Sequence, residues 1–127
     1  MKHFIFVFTF VFLCSATFSQ SSPQGMEEMK TYYLVFLKRG TNRTQDSVTS
    51  EKIQEGHMAH LNKMAAEGKM DLAGPLMDDG DLRGICVYNA GSLEEAKKLA
   101  EDDPAVKAGR LIVEIHPWYS MKGACLK

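Results

Sequence analysis

The chain has 127 residues, 15 basic and 16 acidic, and a formal net charge of −1. That length supports one domain with one modest core. Near-neutral, interspersed charge gives nucleic acid or an anionic membrane nothing to hold.

Residues 1–19 read as a secretory signal peptide. Lys2 and His3 precede an apolar run from Phe4 to Leu13, and small residues follow between Ser15 and Ser19. A basic start, an apolar middle and a small-residue exit are the three parts of such a leader. The run of about ten residues is too short to span a bilayer of roughly 30 Å as a helix. Cleavage is expected between Ser19 and Gln20, leaving a secreted or periplasmic protein with no membrane contact. A lipid anchor on Cys14 would want a small residue before it, where Leu13 stands. Two cysteines then remain, Cys86 and Cys125. An oxidising compartment permits a bridge, while a cysteine in an apolar strand also serves as a small apolar residue.

Residues 20–30 form a polar, flexible leader, and the domain is expected over 31–120 with a tail at 121–127. Thr31 to Arg39 is rich in aromatic and β-branched residues and reads as a strand. Tyr33, Val35 and Leu37 point one way and Tyr32, Leu34 and Phe36 the other, so both faces are apolar. Such a strand is covered on both sides, and in a domain this small the second cover is a second subunit. Ser50 is placed to cap a helix running to about Glu67. In it Ile53, His57, Leu61, Met64 and Ala65 make one stripe, and Gly68 stops it. Met70 to Met77 is the second strand, bent by Pro75. The turn Asp78-Asp79-Gly80-Asp81 leads into a third strand, Leu82 to Tyr88. Ser92 and Glu95 form a capping box for a second helix, which Asp103-Pro104 stops or kinks. Leu111 to Trp118 is the fourth strand.

The order βαββαβ predicts an α+β, ferredoxin-like fold: a four-stranded antiparallel sheet with two helices on one face. The apolar second face predicts a homodimer through the sheet, about a two-fold axis.

Several pieces, in this order and at this spacing, resemble the YCII-related (YciI-like) family. They are the strand YYLVFLKRG, His60-Leu61, Glu67-Gly68-Lys69, Gly74-Pro75, Ser92-Leu93-Glu94-Glu95-Ala96, Asp103-Pro104 and Pro117-Trp118. The resemblance implies a dimeric α+β barrel, two such sheets face to face. It also implies kinship with small enzymes such as muconolactone isomerases and cofactor-free monooxygenases. It implies a His-Asp active site, carried here onto His60 and Asp103. The sequence departs from the family pattern in having His57 where an arginine is frequent, and His116 before the final Pro-Trp.

The chemistry of those residues fits the implication. A histidine titrates near pH 6.5 and exchanges protons at working pH, and a carboxylate would fix its tautomer. Against this, His60 also reads as a half-buried helix residue and Asp103 as a turn residue. His57 stands three residues from His60 on one helical face. With His116 these two would supply three nitrogens for a metal, although the glutamate of a zinc-protease helix is missing. No cofactor is expected. Gly74 and Pro75 are candidates for the pocket or for backbone shape. Tyr33 and Trp118 are candidates for an apolar pocket wall or for packing. Nothing electropositive surrounds Cys86 to make it a nucleophile.

The function expected is proton transfer on a small organic molecule: isomerisation, lyase chemistry or cofactor-free oxidation. A binding module without turnover, or a dimeric structural domain, is the alternative.

Overall fold

The computed structural model describes residues 28–124 and 126. The expected signal peptide and Cys125 lie outside these residues.

β1 spans Met29–Arg39, α1 Ser47–Ala66, β2 Met70–Pro75, β3 Leu82–Tyr88, α2 Leu93–Glu101, α3 Pro104–Lys107 and β4 Leu111–Met121. The strands pair antiparallel in the order β2-β3-β1-β4. β1 is central and binds β4 along its whole length, from Met29 opposite Met121 to Arg39 opposite Leu111. The helices cover one face.

The expected barrel is corrected by this topology. The sheet is open, with β2 and β4 as its two edges. Closing a sheet needs a tilted ring of strands, about eight in the small barrels, and four strands end in free edges. The fold is α+β, with an open four-stranded antiparallel sheet and helices on one face.

Local chemistry accounts for the helix ends. α1 begins a turn earlier than Ser50 suggested, because the Asp46 carboxylate accepts the Thr49 N–H at 2.8 Å and satisfies an otherwise orphaned donor. At its far end Gly68 takes a left-handed φ of +67°. Its N–H donates to the Ala65 carbonyl and that of Lys69 to the Met64 carbonyl, the glycine-terminated pattern that satisfies a helix's last carbonyls. Ser92 caps α2 by accepting the Glu95 N–H at 3.1 Å, while the Glu95 carboxylate reaches the Gly91 N–H at 2.8 Å. Asp103-Pro104 does more than stop α2. It starts α3, with Asp103 as cap and proline in the first turn, where a missing N–H costs nothing.

The core lies between sheet and helices. Tyr33, Val35 and Leu37 of β1 meet Cys86 and Tyr88 of β3, Met64 of α1, and Ala96 and Ala100 of α2. On the other face Tyr32 packs against Trp118 with ring centroids 6.3 Å apart, and Phe36 meets the edge of His116 at 5.6 Å. That face stays partly open: Ile112 and Trp118 are exposed. Among the described residues no helix is long and apolar enough to cross a membrane.

Candidate active site

α1 crosses α3 at a glycine. A Cβ on Gly56 would lie 3.1 Å from the Pro104 side chain, closer than nearly all real contacts. A glycine inside a helix costs about 1 kcal/mol relative to alanine. Here it lets α1 sit down on the start of α3, and the next residue, His57, meets Asp103.

Nδ1 of His57 lies 2.6 Å from Oδ2 of Asp103, and both residues are buried. The other carboxylate oxygen, Oδ1, accepts the Ala105 N–H at 2.7 Å. The carboxylate is therefore held at both oxygens. Accepting from the ring, it places the imidazole proton on Nδ1 and leaves Nε2 with the lone pair.

His57 lines a cleft of about 620 Å³ between α1 and the helix-covered face of the sheet. Leu37, Ile53 and Leu61 give it apolar walls, Gly74 and Pro75 of β2 form one side, and Arg43, Arg83 and Arg110 line it as well. Volume and lining are of the kind that holds a small organic molecule.

Cys86 lies on the lining, yet burial, with the Asp103 charge adding to it, pushes its thiol up to about 12. Without thiolate it has no nucleophile to offer. The Tyr88 hydroxyl is likewise pushed up, by burial first and then by Cys86 and Asp103.

The profile of the YCII-related domain matches residues 31–119. The chain belongs to the YCII-related family. It is 31% identical over 86 residues to the uncharacterized protein YjpA of Bacillus subtilis (strain 168), covering 68% of this chain and 92% of that protein. It shares its fold with 5-chloro-2-hydroxyhydroquinone dehydrochlorinase (TftG) from Burkholderia phenoliruptrix AC1100, solved in complex with 2,5-dihydroxybenzoquinone. The TM-score is 0.52 at 24% identity, over 68% of this chain and 92% of that one.

Within this YCII-related domain the expected site residues scatter unevenly. Asp103 is brought to His57 rather than to His60. The Nε2 of His60 is buried without a hydrogen-bond partner among the described residues, and His60 does not line the cleft. His116 stands on the open face of the sheet, 2.8 Å from Glu114, so the three histidines do not converge. Among the described residues no group of three or more His, Cys, Asp or Glu is arranged to hold a metal ion. Gly74 and Pro75 do line the cleft. A Cβ at Gly74 would meet nothing within 4 Å, whereas one at Gly84 would lie 2.8 Å from the Gly74 carbonyl oxygen. The close approach of β2 and β3 therefore rests on Gly84. Tyr33 is in the core and Trp118 on the open face.

Sequence reasoning passed over Gly56 and the arginines. An isolated glycine inside a helical pattern was the available signal for the first. The arginines stand at three places along the chain and carried none.

Proposed function

We propose that this protein is an enzyme that moves a proton on a small organic molecule, with His57 as the acid–base group and Asp103 as its orienter. The observation that carries the reading is the buried His57–Asp103 bond at the wall of the cleft. With Nδ1 occupied, Nε2 of His57 is the nitrogen left to take a proton from a bound substrate and return it elsewhere. Asp103 holds the ring in place through Nδ1 while the proton moves at Nε2. A positioned base of this kind contributes about 10²- to 10⁴-fold in rate. The name of the dehydrochlorinase that shares this fold records loss of hydrogen chloride from a hydroxylated aromatic ring, and elimination, isomerisation and cofactor-free oxidation all begin with such a proton transfer.

His60, the sequence-based candidate, is retained as a second polar group on the same helix, and its exchange serves as the comparison. Export through residues 1–19 belongs to the proposal. So does a second copy of the chain on the open sheet face, where Phe36, Ile112 and Trp118 present apolar surface.

The test is a turnover screen of residues 20–127 against small hydroxylated aromatic and enolisable compounds, with His57→Asn, Asp103→Asn and His60→Asn in parallel. His57→Asn is expected to lower kcat about 10²-fold or more, and Asp103→Asn to lower it and distort the pH profile. His60→Asn is expected to retain most activity. Full turnover by His57→Asn would sink the reading. Stabilisation by a ligand without turnover would favour a binding module instead.

A further inference from the structure

All four arginines of the chain gather at one corner. Gly40 closes β1, and its backbone touches the loop before β4: its N–H donates to the Arg110 carbonyl at 2.8 Å, and that of Asn42 to the Gly109 carbonyl at 3.1 Å. A Cβ at Gly40 would lie 2.1 Å from the Gly109 oxygen, so only glycine permits this approach. It draws Arg39 and Arg43 toward Arg110. Arg83 on β3 completes the group, and the Arg43 guanidinium is held below its ordinary value, by loss of solvent first and then by Arg110, Arg39 and Arg83.

Such a concentration of like charge normally recruits carboxylates. Here it has not. The eight ion pairs among the described residues all use lysine or histidine as the cation. Arg110 donates through Nη1 to the Gln45 side-chain oxygen at 2.8 Å and the Ser50 hydroxyl at 3.1 Å. Arg83 donates through Nη1 to the carbonyls of Asp78 at 3.3 Å and Gly80 at 3.1 Å. Neutral acceptors thus hold each of these two guanidinium groups by one nitrogen, and among the described residues neither is ion-paired to a carboxylate. The one acidic side chain on the lining, Asp71, is exposed on the β2 edge and also borders the opposite face of the sheet.

We infer that the cleft takes a small organic carboxylate, its anionic group held by Arg83 and Arg110 with Arg43 beside them and its carbon body against Leu37, Ile53 and Leu61. Guanidinium and carboxylate match as two parallel N–H···O bonds. This deepens the proton-transfer reading of the same cleft, on which it rests: the arginines hold one end of the molecule, and His57 works elsewhere on it.

Benzoate and its uncharged counterpart benzyl alcohol are the probes, titrated into isotopically labelled protein while the arginine Nε–H and histidine ring resonances are followed. Benzoate is expected to shift the Arg83 and Arg110 signals saturably and to bind about tenfold more tightly than benzyl alcohol. Arg110→Gln and Arg83→Gln should each weaken benzoate about tenfold and leave benzyl alcohol unchanged. Arg110→Lys should recover only part of the loss, since a point charge lacks the fork. Equal binding of the two probes, or benzoate binding indifferent to both glutamine variants in a folded protein, overturns the inference. The readout is binding alone, so it is independent of whether His57→Asn abolishes turnover.

Discussion

His57 and Asp103 stand 46 residues apart in the chain and 2.6 Å apart in the fold. What each can do depends on its neighbours. Asp103 has both oxygens occupied by donors, so in the proposed reaction it orients His57 and does not itself reach substrate. Cys86 is the opposite case, a reactive residue type made inert by its surroundings. Burial and the Asp103 charge raise its thiol to about 12, against about 8.5 in an unfolded chain. Below pH 8.5 both states keep the proton and the burial is fully stabilising. Above it the unfolded chain ionises first, so stability is lost as pH rises from about 8.5 toward 12. Cys86→Ala should flatten that alkaline loss in urea unfolding followed from pH 7 to 10. In the native protein Cys86 should resist a thiol reagent at neutral pH. Rapid labelling of Cys86 under native conditions would contradict its assigned environment.

At the scale of elements, the site is made by two helices whose approach depends on Gly56. With a Cβ only 3.1–3.2 Å from the Pro104 ring, Gly56→Ala gains about 1 kcal/mol in helix propensity and loses some of it to crowding. Thermal unfolding should therefore change little. Turnover should fall, because α1 lifts from α3 and stretches the bond from His57 to Asp103. Gly56→Val, with a bulkier and stiffer side chain, should lose both, by about 1–3 kcal/mol of overpacking in stability. Unchanged kcat in a stable Gly56→Ala protein would detach the helix crossing from the chemistry. α3 itself has only four residues, and its role is to place the capping carboxylate of Asp103 at the crossing. The Gly40–Gly109 contact plays the same part for the arginines on the other side of the cleft.

For the whole molecule, the sheet has one face under helices and one face only partly covered. Tyr32 is buried there beside Trp118, yet Trp118 and Ile112 are nearly half exposed, at 43% and 48%. Between them on the same face lie the ion-paired Glu114 and His116, so the face is a mixed one, apolar at its two ends and charged in the middle. Sedimentation equilibrium of residues 20–127 is expected to give twice the chain mass, and Phe36→Lys, on the open face, to give a single chain that remains folded. A single-chain mass for the unaltered protein would remove the second copy from the proposal.

The elements were legible in the amino-acid sequence because their signals are local. A run such as TYYLVFLKR, a glycine stop at Gly68 and the Ser92–Glu95 pair act over a few residues, and α1, β3, α2 and β4 follow from them to within a few positions. Their order determined an antiparallel sheet with helices on one face. Two things were not local. Whether four strands close or stay open is decided by sheet geometry, and the edges β2 and β4 remain free. Which of two histidines three residues apart meets Asp103 depends on how α1 is rotated and how closely it lies on α3. That is settled by Gly56 against Pro104, residues nearly fifty positions apart whose contact no periodicity records. The sequence by itself therefore determined the family and the elements, and named a histidine of α1 and Asp103 as candidates. Tertiary packing alone brought His57 rather than His60 to Asp103, turned the Asp103-Pro104 stop into the start of α3, and assembled the arginines into one corner.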